Sequence, residues 1–306
     1  MKASQLFKQV AIGVGLSAAL MGSAIAAPIA SFDYTQEFEW VEPIAPASVD
    51  KEGATIGASD VDGYTKLSWG VPWIPENPEG LPSSLVINPL PGDSTTPSNV
   101  LTAGTVTTST DVNAVSFSLG PIVVHNNFTI AEPYLDSTSA EDYVVLSPFG
   151  GGADQTQQIT FGVNFQETAN NAGDPGACPE GVAYNVFGCG DIFALSGGLL
   201  GVPTILNGSI VAFLIDSFLL DGYNYDVYIT APGLDVLTDA ACAAVGEASG
   251  CIGFTTFENE VNAFQLAFAI IATESIPEPA TLALFAGSLL LMGLVRRRKV
   301  KGDLSA

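Results

Sequence analysis

The stretch Ile159-Thr160-Phe161-Gly162-Val163-Asn164-Phe165 alternates apolar and polar or small residues over seven positions. Successive side chains of a β-strand point to opposite faces, so this alternation predicts a strand with one face in a hydrophobic core. The run Gly150-Gly151-Gly152 before it predicts a flexible loop. Similar short segments recur between Gly, Pro and Asn residues through the middle of the chain, and they decide the fold class.

A β-hairpin is predicted around Asp221-Gly222. The segment before it, Ser209–Leu220, is almost wholly apolar, and Tyr223–Ile229 follows it. An Asp-Gly pair between two such runs is the sequence mark of a type I′ turn, because both central residues need a positive φ.

The other predicted elements are short and are separated by turn-forming residues. The predicted strands are an edge strand within residues 27–50, Ser84–Asn88 inside the proline-rich loop 71–99, Val115–Leu119, Ile122–His125 after a turn at Gly120-Pro121, Tyr143–Leu146 and Phe264–Ala272. Thr238–Ala248 is the one predicted soluble helix, with Thr238 or Asp239 as its N-cap and Gly250 as its stop. About ten strands and one helix predict an all-β fold, an antiparallel β-sandwich.

The N-terminus has the features of an export signal. Lys2 and Lys8 precede the apolar run Val10–Met21, and Ala24-Ile25-Ala26 forms a small-x-small cleavage site. Residues 1–26 are therefore predicted to be a signal peptide that the export machinery uses and that signal peptidase removes between Ala26 and Ala27. The alternative is an uncleaved N-terminal anchor.

The C-terminus has three parts in a fixed order. Pro277-Glu278-Pro279 is followed by an apolar run over 280–295 and then by Arg296-Arg297-Arg298-Lys299. The run predicts a transmembrane helix, and the basic block predicts a stop-transfer signal that stays on the cytoplasmic side. Residues 27–275 are thus expected to fold outside the membrane, with 300–306 as a cytoplasmic tail.

This tail, residues 276–299, resembles the PEP-CTERM sorting signal of Gram-negative bacteria. The resemblance implies recognition by exosortase, a membrane-embedded cysteine transpeptidase-like enzyme, and a link to exopolysaccharide and biofilm matrix. It also implies a membrane-anchored precursor, with the mature form at the cell surface or in the extracellular matrix. A permanent single-pass anchor is the alternative.

Four patches in the rest of the chain resemble the THxN group of PEP-CTERM proteins. They are Lys66–Pro72 with Trp69 and Gly70, Ser83-Ser84-Leu85, Val124-His125-Asn126-Asn127, and Cys251–Glu258. Val124 stands where the group has Thr, so a hydroxyl is missing from the motif that includes His125 and Asn127. The group is named for its sequence, and the resemblance implies no biochemical activity.

The region 27–275 is strongly acidic. Only Lys51 and Lys66 of the nine basic residues lie there, whereas all but Glu278 and Asp303 of the 32 acidic residues do, so 2 positive and 30 negative charges leave a net −28. Such a surface repels nucleic acid and anionic lipid and attracts divalent cations.

Calcium is the one ion that the sequence suggests as a cofactor. Asp60-Val61-Asp62-Gly63, and Asp216 with Asp221 and Asp226, group carboxylates near predicted turns. Neither set is an EF-hand loop, which needs ligands through position 12. The alternative is that these acids are solvated turn residues.

The four cysteines form two close pairs in sequence, Cys178 with Cys189 and Cys242 with Cys251. Disulfides are expected in an exported chain, and three connectivities are open. Pairing within each close pair is favoured because it closes short loops. A zinc site is disfavoured because the spacings match no zinc ligand set.

The sequence offers no evident catalytic motif, so no enzyme activity is expected. His125 is the single histidine, and the mature region contains no Gly-x-Ser-x-Gly, phosphate loop or dinucleotide fingerprint. The favoured interpretation is structural: His125 bonds a loop carbonyl, and Asn126 and Asn127 form a tight corner.

Three functional classes remain open. The first is a non-catalytic surface or matrix protein, the second a polysaccharide hydrolase or lyase that uses a carboxylate pair, and the third a permanently anchored ectodomain. Trp69 and Trp73 are predicted either to stack on sugar rings or to pack within the protein.

Overall fold

The structure, a computed structural model, describes residues 27–53, 63–73, 77–98, 100–168, 174–197 and 200–275. The predicted signal peptide (1–26) and the predicted sorting tail, transmembrane helix and cytoplasmic tail (276–306) lie outside these residues. Within the described ranges, every helix is too short to cross a membrane.

Most of the described chain is in β-strands. They are β1 Ser31–Ala45, β2 Asp50–Glu52, β3 Lys66–Trp69, β4 Val71–Pro72, β5 Ser83–Ile87, β6 Pro89–Leu90, β7 Asp93–Pro97, β8 Thr102–Ser109, β9 Ser118–Asn126, β10 Ile130–Ala131, β11 Ser137–Pro148, β12 Gln155–Gln166, β13 Tyr184–Asn185, β14 Gly188–Cys189, β15 Ile192–Gly197, β16 Leu200–Leu206, β17 Ile210–Leu220, β18 Tyr223–Thr230, β19 Asp235–Val236, β20 Ile252–Thr255 and β21 Val261–Glu274. The helices that the structure describes are α1, Asp239–Ala244, and one 3-10 turn at Pro175–Ala177. The prediction of an all-β fold is confirmed.

The long strands form one continuous hydrogen-bonded path. Its order is β19-β20-β15-β12-β11-β1-β8-β21-β9-β5-β3-β2, and β18 also pairs with β21 and carries β17 and β16 beside it. The join between β8 and β21 is parallel, with Ile270 opposite Thr108. The prediction of a purely antiparallel arrangement is wrong at this join, since short-range patterns carry no information about strand direction across a long connection.

Strands from the two halves of this path pack face to face. Trp69 of β3 lies against Phe165 of β12, with ring centroids 5.2 Å apart, and Phe193 of β15 lies 5.0 Å from the ring of His125 in β9. Phe38 and Trp40 of β1 belong to the same core. Two sheet layers thus share an aromatic core, an arrangement consistent with the predicted β-sandwich.

β1 was predicted to be an edge strand, and this prediction is wrong. The strand pairs with β11 over its length and with β8 over residues 31–36. Alternation of apolar side chains reports that one face is buried, but it does not report how many neighbours the strand has.

Two other predictions are confirmed. Phe161, Val163 and Phe165 of β12 are buried in alternation with more exposed neighbours. Asp221 and Gly222 both have positive φ, 50° and 83°, as a type I′ turn requires.

Two boundaries differ from the predictions. Gly120 and Pro121 do not turn the chain but lie inside β9, opposite a register irregularity of β21 between Gln265 and Ala267. The irregularity accommodates the proline, which cannot donate to the ladder. α1 has Thr238 as its N-cap, as predicted, but ends at Ala244 rather than Ala248.

The chain divides into two units. The larger comprises 29–218 and 224–273, and it contains the core and the site described below. Of the smaller, the structure describes 27–28, 219–223 and 274–275, where the Ser275 amide donates to the Gly222 carbonyl at 2.9 Å.

Candidate metal centre

Strand register brings two acidic residues together at one end of the sandwich. Glu167 directly follows β12 and Asp191 directly precedes β15, and the neighbouring residues Gln166 and Ile192 are partners in the ladder. The next ladder pairs Ile192 with Thr255 of β20. The chain after β20, which carries Glu258, therefore passes the same place.

Three carboxylates meet there, and we call Glu167, Asp191 and Glu258 the acid cluster. One oxygen from each lies within 4.8 Å of the others, and among the residues that the structure describes this is the one group of three or more acidic, His or Cys side chains so placed. All three residues are buried, Asp191 and Glu258 completely.

The acid cluster is only partly satisfied by hydrogen bonds. Asp191 Oδ1 accepts from the Thr168 amide at 3.0 Å, and Glu258 Oε1 accepts from Thr129 Oγ1 at 3.4 Å. Both oxygens of Glu167 and Oδ2 of Asp191 are buried without a hydrogen-bond partner in the described structure. Unpaired buried oxygens of this kind are costly, and they mark places where a ligand can bind.

His125 stands beside the acid cluster. Its Nδ1 lies 3.2 Å from Thr256 Oγ1, and its Nε2 lies 3.8 Å from Asp191 Oδ2 and makes no hydrogen bond to any described residue. The ring stacks on Trp69 with centroids 5.7 Å apart. Burial lowers the pKa of His125 to about 3, so the ring is neutral at neutral pH. The prediction that His125 bonds a loop carbonyl is wrong, because its partner in the structure is the hydroxyl of Thr256.

Asn127 lies against the acid cluster through its side-chain amide. Nδ2 donates to the Phe257 carbonyl at 3.2 Å, and the amide also stabilises the ionised forms of Asp191 and Glu258. Its Oδ1 is buried without a partner among the described residues.

The predicted tight corner at Asn126 and Asn127 is wrong. Asn126 ends β9, and neither residue is among those with positive φ. The Asn126 amide instead donates to Ser84 Oγ at 3.1 Å and to the Ser94 carbonyl at 2.8 Å. These asparagines hold neighbouring chain segments together rather than permitting a special backbone conformation.

The electrostatics of the acid cluster oppose full ionisation. Burial, and then the neighbouring carboxylates, raise the pKa of Glu167 and of Asp191 well above their usual values. Burial raises the pKa of Glu258 to about 7. The two basic residues of the ectodomain are engaged elsewhere, Lys51 with Glu42 at 2.5 Å and Lys66 with Glu52 at 3.2 Å.

Trp69 and Gly70 form the wall beside His125. Gly70 has φ 82°, and a Cβ there would lie 2.3 Å from Ile130 Cδ1, so only glycine fits. Trp69 is 2% exposed, which rules out the predicted stacking on sugars for this residue. Trp73, in contrast, is 56% exposed.

The predicted calcium ligands on the hairpin are not assembled as a site in the described structure. Asp216 accepts from the Ser217 amide at 2.7 Å. Asp226 accepts from Ser217 Oγ at 2.6 Å and from Asn224 Nδ2 at 2.7 Å. Asp216 and Asp226 therefore behave as partnered strand acids, and Asp221 lies in the turn between the two strands. The other predicted calcium set, Asp60-Val61-Asp62-Gly63, stays a prediction because Asp60 and Asp62 lie outside the described residues.

Both predicted disulfides are confirmed. Cys178 is bonded to Cys189 and Cys242 to Cys251, with Cα–Cα distances of 5.5 and 5.7 Å. Cys189 lies two residues before Asp191, so the first disulfide braces the chain that delivers this carboxylate.

The sequence reasoning missed Glu167 and Asp191. Glu258 was quoted within the segment that resembles the THxN group, but without a role. A usable signal existed: Glu167 directly follows the most regular alternating strand, and Asp191 directly precedes the apolar run Ile192-Phe193-Ala194-Leu195. An acid at the border of a buried strand is a candidate for a buried position.

The comparison with family models bears on the tail. The described fold is an all-β ectodomain with a buried acid cluster, and residues 275–299 match the PEP-CTERM protein-sorting motif. The chain therefore carries a PEP-CTERM sorting motif, which implies an exported, membrane-anchored precursor and an exosortase as its processing partner. No curated protein and no solved structure matches the chain significantly.

Proposed function

We propose that the mature chain is a non-catalytic protein of the Gram-negative cell surface or extracellular matrix, where it associates with exopolysaccharide in a biofilm. The observation that carries this proposal is the position of the sorting motif. β21, the last described strand, ends at Glu274, and the motif begins at residue 275. Removal of the tail therefore takes away no described element of the fold.

The burial of the polar residues supports a non-catalytic role. His125 is completely buried under Trp69, and the three residues of the acid cluster beside it are buried as well. A polysaccharide chain has no path to these carboxylates in the described structure. General acid–base chemistry on a polymer needs its carboxylates within hydrogen-bond reach of the glycosidic bond.

The surface supports an association with glycans rather than with nucleic acid. The charge of −28 repels phosphate backbones. Trp73 remains exposed on the proline-rich loop, where an aromatic face is available to a sugar ring. We propose Trp73 as the glycan-contacting residue of this loop.

We further propose membership of the THxN group. The residues that carry that resemblance lie around one place, with Trp69, His125 and Asn127 beside the acid cluster and Glu258 inside it. Their shared position supports the interpretation that the motif is the signature of a structural site.

The chemistry of the tail supports cleavage near Pro277. Pro277 and Pro279 lack amide donors and disfavour helix, so we expect this tripeptide to be extended at the membrane boundary. The apolar run and the basic block hold it at a fixed depth. An exosortase then meets the same peptide bond in each molecule.

Mass spectrometry of the C-terminal peptide tests the sorting proposal. Surface material from a host with an active exosortase should lack the tail from about Pro277 onward, whereas a host without the enzyme should retain it. Arg296–Ala306 still attached in the wild-type host would leave only the permanent anchor.

A binding assay tests the role of the ectodomain. The purified protein should bind exopolysaccharide and release no reducing ends, and Trp73→Ala should weaken binding. The matched control is Phe149→Ala, which removes another exposed aromatic ring away from this loop. Release of reducing ends would favour the hydrolase or lyase alternative.

A further inference from the structure

The acid cluster contains charges that the protein itself does not neutralise. We propose that Glu167, Asp191 and Glu258 bind one divalent cation, for which calcium is the best match, with His125 and Asn127 closing the site. This site differs from the hairpin and turn acids that the sequence suggested, and it does not depend on how the tail is processed.

The first argument is the balance of charge. Burying a carboxylate without a partner of opposite charge is strongly unfavourable, and here three are buried together. Lys51 and Lys66 are the only basic residues in 27–275, and both pair with surface glutamates. A bound cation of charge +2 supplies the positive charge that neither of these lysines brings to the acid cluster.

The second argument is distance. Calcium binds oxygen at about 2.3–2.6 Å, so ligands on opposite sides of the ion lie about 4.6–5.2 Å apart. The three carboxylate oxygens lie within 4.8 Å of one another, which matches the span of such a coordination sphere. Magnesium binds oxygen at about 2.0–2.1 Å, demands near-octahedral geometry and usually keeps several waters, which suits a buried cluster less well.

The third argument is independent of the acids. His125 Nε2 and Asn127 Oδ1 are fully buried polar atoms without a hydrogen-bond partner in the described chain. His125 Nε2 lies 3.8 Å from Asp191 Oδ2, and the Asn127 amide lies against Asp191 and Glu258. Two neutral side chains with unused polar atoms thus flank the carboxylates, as the residues that surround metal ligands do in metal sites.

The composition of the site favours a hard cation. Three carboxylates suit calcium, whereas zinc prefers a set with more imidazole or thiolate. The four cysteines are bonded in disulfides, so no thiolate of the chain competes. The ligands come from positions 167, 191 and 258, so the ion would tie together three strands of the sandwich.

Thermal unfolding of the exported full chain tests the proposal. The protein is stripped with EGTA and titrated with calcium chloride while sodium chloride keeps the ionic strength constant. We expect a saturable rise in Tm of roughly 5–10 °C once calcium exceeds its Kd a hundredfold, and isothermal titration should give one site per chain. Magnesium, manganese and zinc are titrated in parallel.

Two variants test the residues. Glu167→Gln and Asp191→Asn each remove one charge and should raise the Kd for calcium at least tenfold. In EGTA both should melt at or above the wild-type temperature, because one buried charge is gone, whereas in saturating calcium both should melt below it. This reversal of order separates an ion ligand from a residue that only packs.

Asp226→Asn is the matched control, since it removes one charge from a partly exposed hairpin acid outside the acid cluster and should keep the full calcium response. Equal effects of calcium and sodium chloride, or a wild-type calcium response in both Glu167→Gln and Asp191→Asn, would overturn the proposal. A saturable response to zinc or manganese with none to calcium would overturn the assignment of calcium.

Discussion

The acid cluster and the hairpin acids show two ways in which a highly acidic chain uses carboxylates. The hairpin acids lie within eleven residues of one another in sequence, and Asp216 and Asp226 each accept hydrogen bonds from adjacent side chains or amides. The members of the acid cluster are 24 and 67 residues apart, yet they meet in a buried space, where both oxygens of Glu167 and one of Asp191 have no hydrogen-bond partner in the described structure. Closeness in sequence therefore did not point to the three carboxylates that the fold brings together.

The difference has a physical origin. Acids near one another on a turn reach water, which screens their repulsion and satisfies their oxygens. Acids that different strands bring into the core lose contact with that water. Their carboxylates then need protons, strong hydrogen bonds or a cation. Buried carboxylates that lack partners therefore arise where the fold brings distant residues together, and not where acids are close in sequence.

The largest expected effect is at the wall of the acid cluster. Trp69→Ala removes a buried indole that packs on His125 and Phe165, and it should lower the free energy of unfolding by about 3–5 kcal/mol. Trp73→Ala, on the exposed loop, should change it by less than about 0.5 kcal/mol. Chemical denaturation of both variants checks the contrast. Similar losses in the two would contradict the assignment of Trp69 to the core.

Asp142 sharpens the comparison, because it is a buried acid with a neutral partner. Gln36 Nε2 donates to its two oxygens at 2.9 and 3.0 Å, and burial raises its pKa to about 7 from an unfolded value near 3.8. The folded state therefore binds the proton more tightly, and the stability that this proton contributes is lost as pH rises from about 4 to 7. Asp142→Asn should raise stability at pH 8 by up to about 4 kcal/mol and change it little at pH 4.

Urea unfolding between pH 4 and 8 measures this slope. Asp226→Asn, which also removes one carboxylate from a strand of the same unit, serves as the matched variant for the loss of a charge. A slope in Asp142→Asn identical to that of the wild type would show that Asp142 is ionised throughout.

The disulfides should have an intermediate effect. Replacing Cys178 and Cys189 together by Ser, or Cys242 and Cys251 together, opens loops of 11 and 9 residues and should cost about 2–3 kcal/mol in each case. Only the first pair braces the segment next to Asp191, so its loss should also weaken the calcium response more than loss of the second. Equal calcium responses in the two double variants would argue against that brace.

The smallest effect is expected on the hairpin. Asp226→Asn keeps the shape of a partly exposed side chain that accepts from Ser217 and Asn224, and it should change the stability by less than about 1 kcal/mol. A thermal melt at fixed ionic strength measures it. A loss as large as that of Trp69→Ala would mean that the hairpin acids have a structural role of their own.

The sequence by itself determined the features that depend on local chemistry. Alternation over Ile159–Phe165 gave a strand, Asp221-Gly222 gave a hairpin turn, and Thr238 gave a helix N-cap, because each follows from steric or hydrogen-bonding preferences within a few residues. Short loops also made the disulfide pairing predictable. The PEP-CTERM motif was evident for a similar reason, since its three parts are contiguous.

The tertiary structure decided the features that depend on distant neighbours. It made β1 a central strand, joined β8 to β21 in parallel and placed Gly120-Pro121 inside a strand. It also brought Glu167, Asp191 and Glu258 together beside His125. Strand register across long connections fixes which residues share a buried space, and no local pattern encodes that register.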